Sequence, residues 1–324
     1  MIKVMIIGAR RRRQGIGEFL AQAFSMAQAD VCAIVGTTAE TAAEAQTALH
    51  QRYGIQCAAY SSVATALEVE TPDIVVICSP FEAHLEQLRL VMQSGAHCLC
   101  EKPLWWEQSQ DRLAVTRELV DGFRDRGRYL ALVAQWPYTL AAFYSLYPQV
   151  KDQPITDVEM MLSPMRPGRI MILDAVPHLL SILQHLLGHG QIDNPRLSFS
   201  DPDQRHLELD FDYRHATGVT RARFRASVCE QPPRPASYAI NGLRVEREII
   251  LPEYTLSFVG DSGRVELEDP LQLLVNDFLH KVSTQCTLDR ESLIDSIAAL
   301  EQIYACDSEA PLSQNQATIS PSHH

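Results

Sequence analysis

Three side chains in this sequence are of the types needed to move a proton and to steady negative charge on one oxygen atom: Lys102, Asp174 and His178. Lys102 stands in Glu101-Lys102-Pro103, directly after an apolar stretch at 97–100 that reads as a buried strand. An ammonium there can polarise a substrate oxygen. Asp174 and His178 lie four positions apart at the start of a predicted helix, 173–187, so they share a face. Imidazole transfers protons near neutral pH. The structural alternative makes Asp174 an N-cap and His178 a packing residue, with Pro177 in the first helical turn. A metal centre is not expected. His178 and His185 would be about 10 Å apart along a helix, too far for one ion, and no third ligand accompanies His185 and His189.

Positioning these groups requires a scaffold, and the first 135 residues supply one. Short apolar runs at 3–7, 31–35, 74–78, 97–100 and 129–134 read as buried parallel strands. Helical patterns at 18–29, 39–53, 62–68, 82–94 and 108–127 alternate with them. This order predicts an α/β fold with a doubly wound parallel sheet of Rossmann type, which binds ligands at the carboxyl edge of its strands. Lys102 falls on that edge. Beyond residue 137 the texture changes to alternating segments at 206–213, 220–228, 244–251 and 254–259, followed by helices at 270–284 and 290–306. These predict an α+β domain with a large, mostly antiparallel open sheet. The expected division is a dinucleotide-binding domain at 1–136 and a substrate domain at 137–324.

The first strand runs into Gly8, an arginine-rich stretch (Arg10 to Arg13), then Gly15, Ile16 and Gly17 before a helix. Strand, glycine loop and helix N-terminus in that order suit a pyrophosphate, and Arg10, Arg12 and Arg13 suit phosphate groups. The spacing departs from GxGxxG. The second strand ends Val35-Gly36-Thr37-Thr38, without the carboxylate that binds the ribose 2′-hydroxyl of NAD. Thr37 and Thr38 are therefore candidate coenzyme contacts, or Thr37 caps the next helix. The balance favours NADP over NAD.

The stretch Cys78-Ser79-Pro80-Phe81-Glu82-Ala83-His84, then Gly95-Ala96-His97 and Glu101-Lys102-Pro103, resembles the glucose-fructose oxidoreductase / inositol dehydrogenase / MocA family, and Asp174-Ala175-Val176-Pro177-His178 matches its Asp-x-x-x-His motif. The resemblance implies a coenzyme contacted by Ser79, Pro80, His84, Glu101 and Lys102, and a cis peptide before Pro103 that aims Lys102 into the cleft. It also implies a sugar, polyol or similar small substrate, and a dimer or tetramer formed through the open sheet. In that reading His178 takes the hydroxyl proton, Lys102 stabilises the oxygen, and Asp174 orients the substrate or His178. His84 is equally readable as a helix cap, and Trp105 and Trp106 as cleft wall or packing. A reductase of imines or tetrapyrroles on the same fold, and a coenzyme-binding sensor, are the alternatives.

Bulk composition narrows the partners. A net charge of −12 over 324 residues argues against nucleic acid and anionic membranes. No apolar run nears the ~20 residues of a membrane helix. The eight cysteines form no CxxC pair and several sit in apolar runs, which reads as reduced thiols in a cytoplasmic protein. The chain enters a predicted strand at once, with no signal peptide expected.

Overall fold

A computed structural model describes residues 1–10, 15–108, 110–250, 255–306 and 308–309. Its first half is built from β1 (Lys3–Ile7), α1 (Gly17–Met26), β2 (Asp30–Val35), α2 (Ala39–Tyr53), β3 (Ala58–Tyr60), α3 (Val63–Glu70), β4 (Ile74–Ile77), α4 (His84–Ser94), β5 (His97–Cys100), α5 (Arg112–Asp125) and β6 (Leu130–Leu132). The six strands are parallel in the order β3-β2-β1-β4-β5-β6. The order reverses between β1 and β4, which opens a crevice at their carboxyl ends. β4 is buried at every position, as a strand covered on both faces must be. Thr38 and Thr41 cap α2 reciprocally, while Gly54 and Gly95 end α2 and α4 in the left-handed region.

The second half contains α6 (Leu140–Leu146), β7 (Asp157–Leu162), α7 (Ile170–Leu187), β8 (Gly190–Phe199), β9 (His206–His215), β10 (Gly218–Ser227), β11 (Ser237–Ile240), β12 (Leu243–Ile250), β13 (Thr255–Gly260), β14 (Gly263–Glu266), α8 (Pro270–Ser283), α9 (Arg290–Ala305) and β15 (Ser308–Glu309). Among the described residues its sheet has nine strands, ordered β14-β13-β12-β11-β7-β10-β9-β8-β15. Only the β7–β10 and β8–β15 pairings are parallel. Alternation puts Leu207, Leu209, Phe211 and Tyr213 of β9 inside, with Ala222, Phe224 and Ala226 of β10 beside them. The opposite face carries ion pairs such as Arg223 with Asp157 (2.7 Å) and Glu159 (2.6 Å).

α7 covers the inner face. It has 18 residues with a mean hydropathy of 1.6, the length and composition of a membrane span. Its apolar side chains, from Met171 to Leu183, are buried in the second core. It starts earlier than expected. Asp174 is therefore not an N-cap, and Pro177 lies inside the helix rather than in its first turn. Without an N–H, Pro177 removes the bond that would close on the Leu173 carbonyl.

The chain does not divide cleanly at 136/137. Leu271, Leu274, Val275 and Phe278 of α8, with Leu288, Leu293 and Ile297, belong to the core of the parallel sheet. Ala299, Leu300 and Ile303 of α9 belong to the other core. Phe278 meets Phe24 edge-on at 6.4 Å and Tyr129 at 5.7 Å. Tyr138 donates to Asp277 (2.6 Å), which also pairs with Lys281 (2.8 Å). The late helices thus return to complete the first domain. Phe278→Ala should cost about 3–5 kcal/mol, because it opens a cavity between α8, α1 and β6; urea unfolding followed by circular dichroism measures the loss.

Candidate active site

The glycine loop is shaped by close backbone approach. Gly8 has φ +85°, and a Cβ there would lie 2.7 Å from the Cys78 carbonyl atoms. A Cβ on Gly17 would lie 2.6 Å from the Gly8 oxygen. Side chains at either position would force apart the ends of β1 and β4 and the start of α1. Ile16 precedes α1 and gives it no side-chain cap, so the helix presents backbone N–H groups and its positive dipole end toward the crevice. This cradle fits a dinucleotide pyrophosphate.

Lys102, Asp174 and His178 converge. All three border one cavity of about 510 Å³, together with Gly15 and Ile16 of the loop. The Lys102–Pro103 peptide is cis, as the resemblance implies. Lys102 is mostly buried, and its Nζ donates to the backbone carbonyl of Asp174 (2.6 Å). Glu101 also lines the cavity, its carboxylate 3.9 Å from that ammonium. The Asp174 carboxylate pairs with Arg166 at 3.3 Å. Asp174 therefore holds Lys102 through its main chain, and its side chain is engaged by Arg166 rather than orienting His178.

His178 opens partly into the cavity but is otherwise enclosed, and its Nδ1 is buried with no hydrogen-bond partner in the protein. The Trp136 ring lies edge-on to it at 6.3 Å. Burial pushes the imidazole pKa well below its usual value, and the positive charges of Lys102 and Arg247 add to the shift. The ring is thus a neutral base at physiological pH.

The other expected contacts divide. Gly15 and Ile16 border the cavity, and Gly8 and Gly17 form the cradle. Arg10 pairs with Glu44 of α2 (2.5 Å). Arg12 and Arg13 lie outside the described residues. Thr38, not Thr37, caps α2, and its hydroxyl is bound to Thr41; Thr37 is exposed at the end of β2. Ser79 donates to Gln87 (2.6 Å), and Pro80 is exposed beside it. His84 does not line the cavity. It is 1% exposed, with Nδ1 against the carbonyls of Pro103 and Leu104 and Nε2 against that of Ser79 (2.8 Å). It packs the turn that carries Lys102. Trp105 and Trp106 are likewise buried packing residues, one in each core.

Two wall residues escaped the sequence reading. Arg247 lies on the same face of β12 as the buried Val245, and its guanidinium sits 5.6 Å from the Trp136 ring centre. A charge on the inner face of an alternating strand was the available signal. Arg234 sits in the proline-rich 232–235 loop at the cavity rim, where its carbonyl accepts a bond from Arg247 (3.0 Å). Among the described residues no cluster of His, Cys, Asp and Glu is arranged to hold a metal ion.

A parallel sheet with a glycine cradle at its switch point, facing a lysine and a buried histidine across a cleft, is an arrangement that suits a pyridine nucleotide. Comparison with known proteins agrees. Residues 2–131 match the model of the oxidoreductase family with the NAD-binding Rossmann fold, the glucose-fructose oxidoreductase / inositol dehydrogenase / MocA family. D-glucoside 3-dehydrogenase of Escherichia coli (strain K12) is 32% identical over 84 residues, which is 26% of this chain and 22% of that protein. The chain thus matches about a fifth of the length of this relative. The fold matches UDP-N-acetylglucosamine 3-dehydrogenase of Acidithiobacillus ferrooxidans with a TM-score of 0.68 at 21% identity, over 94% of this chain and 96% of that one. It also matches the WlbA dehydrogenase of Thermus thermophilus, solved with NAD and UDP-GlcNAcA, with a TM-score of 0.67 at 14% identity over 98% and 99%.

The buried neutral histidine has a signature in stability. The unfolded chain protonates this imidazole near pH 6.5, whereas the folded protein resists protonation until well below that. The unfolded state therefore binds more protons in this window, and His178 makes folding less favourable as pH falls. His178→Gln removes the effect. Urea unfolding from about pH 7.5 down to about 5.5 should show the stability difference moving in favour of the variant as pH drops; a difference independent of pH would mean that the ring protonates in the fold.

Proposed function

We propose that the protein is an NAD(P)-dependent dehydrogenase or reductase acting on a hydroxyl or carbonyl carbon of a small substrate, a sugar, polyol or derivative. The observation that carries this reading is the meeting of the Lys102 ammonium and the His178 imidazole on one cavity that also touches the glycine loop. The names of the relatives, dehydrogenases of a glucoside and of a nucleotide sugar, support the substrate class.

When bound, the nicotinamide coenzyme supplies the hydride acceptor or donor. Gly8, Gly15, Ile16 and Gly17 would hold its pyrophosphate, with Glu101 and Lys102 toward the reacting end. In the oxidative direction His178, kept neutral by burial, takes the hydroxyl proton. Lys102 donates to the same oxygen and stabilises the negative charge that develops there. Its bond to the Asp174 carbonyl fixes the ammonium before the substrate arrives. Trp136 and Phe258 wall the cavity and exclude water. Reduction reverses the roles.

NADP is placed ahead of NAD. β2 is followed by Gly36 and the exposed Thr37, with no carboxylate at that position to repel a 2′-phosphate. Eight free cysteines suit a reducing, cytoplasmic setting. The outer face of the nine-stranded sheet is the surface assigned to a homodimer or homotetramer. A sensor without turnover would give Lys102 and His178 no task.

A thermal-shift panel with NAD, NADH, NADP and NADPH should raise the melting temperature, most with the NADP pair; a protein insensitive to all four is no oxidoreductase of this kind. Lys102→Ala should lower kcat by two to four orders of magnitude, roughly the worth of one oriented donor and more, while coenzyme affinity changes little. Wild-type turnover in that variant, assayed by nicotinamide absorbance with glucosides and nucleotide sugars, would remove Lys102 from the chemistry.

A further inference from the structure

The large cavity is one of two spaces that the catalytic pair borders. A second, of about 140 Å³, lies among β6, α7 and the start of α9. Among the described residues, Lys102 and His178 are the two that line both. The pair therefore forms a partition. On one side is the cavity assigned to substrate; on the other is a smaller space with a polar flank.

That flank is continuous. Ser181 donates to the His178 backbone carbonyl (2.7 Å), and both residues line this space. One turn on, Gln184 donates to Ser296 Oγ (3.1 Å) and to the Ser292 carbonyl (2.9 Å). Ser292 Oγ donates to Asp289 (2.7 Å). Ser181 and Gln184 are half-buried and Ser296 is buried; from Ser296 outward exposure rises through the half-buried Ser292 to the Asp289 carboxylate, which is 58% exposed. The volume suits about four waters, and hydroxyl, amide and carboxylate oxygens supply the partners such waters need. The opposite wall, β6 and the Val133 that follows it, is largely apolar and offers little to compete for them.

We propose that this second cavity is the proton outlet of His178, a water-filled passage to bulk solvent at Asp289 that works while coenzyme and substrate close the main cavity. The proposal rests on the function inferred above. In the oxidative direction the substrate O–H bond breaks and its proton joins the neutral imidazole; bound NAD(P)⁺ would supply the two-electron acceptor for the hydride on the carbinol carbon, which becomes a carbonyl. The imidazolium then gives one N–H proton to a water in the passage. A proton leaves from the outer water at Asp289, and the imidazole is neutral again. NAD(P)⁺ is the sole oxidant, and water is returned unchanged.

Two features make an outlet necessary. The imidazolium is disfavoured by its burial and by the neighbouring positive charges, so it is a poor place to store a proton until product leaves. The protein also supplies no acceptor at His178 Nδ1, an atom that is itself closed off from water, so no protein group relieves the imidazolium and its proton has to leave to water through Nε2.

Ser296→Leu should plug the passage, and Ala131→Val plugs it independently from the β6 side. With a sugar that the wild type oxidises, either plug should lower kcat by about an order of magnitude, leave KM and coenzyme affinity unchanged, and raise the solvent deuterium isotope effect on kcat. Ala131→Gly, on the apolar wall, keeps the passage open and should stay within about twofold of wild type. Unchanged kcat and isotope effect in both plugged enzymes overturns the outlet. A second readout needs no turnover. In the coenzyme complex, exchange of the His178 ring proton with solvent, followed by NMR, should be slowed by the plugs, and crystals of the wild-type complex should show ordered waters joining His178 to Asp289. Equal exchange rates or a dry passage refute the outlet even if the sugar assignment stands. Absence of turnover with every sugar, alongside slowed exchange, refutes the sugar assignment alone.

Discussion

The bond from Lys102 Nζ to the Asp174 carbonyl is the contact on which the site depends. It joins residues 72 positions apart, one at the carboxyl edge of the parallel sheet and the other on the helix that covers the antiparallel sheet. A helical carbonyl has two acceptor sites, so it can take this bond and still serve its own turn. The ammonium is located by main chain on a buried helix, which is stiffer than any side chain. The ring of His178, one turn further along, is thereby set at a fixed place relative to the ammonium.

Electrostatics then divides the labour. The cavity is lined by charges of both signs, Lys102, Arg234 and Arg247 with Glu101, Asp174, Glu230 and Asp269, so what matters at His178 is which charges lie nearest to it. Local fields at a cleft are governed by the nearest charges, not by the net count. Burial first, then the charges of Lys102 and Arg247, keep the imidazole neutral. Arg166 occupies the Asp174 carboxylate, so that group does not compete for the Lys102 ammonium.

Much of this was legible in the sequence. The apolar runs of β1, β2, β4 and β5 are periodic enough to fix the parallel sheet, and the four-residue spacing of Asp174 and His178 places both on one face. Other parts were not. β3 is three residues long and alanine-rich, and β8 carries Asn194-Pro195, which reads as a break; the structure accommodates it as an irregularity between Asp193 and Arg196. His84 was ambiguous because residue type does not reveal that both ring nitrogens meet carbonyls. Arg247 was hidden because a charge in an alternating strand is usually solvated. The return of α8 was invisible for a different reason. An amphipathic helix declares that it has a buried face, but not which core will receive it.

That return limits how the two halves can be treated as modules. α9 contributes to both cores, and α8 covers a face of α1 and β6 that would otherwise be apolar surface. A fragment ending near residue 136 would carry Phe24 and Tyr129 uncovered, a patch prone to self-association. Exchange of the coenzyme domain between relatives, in evolution or by recombinant grafting, must therefore carry a second, distant segment along with it.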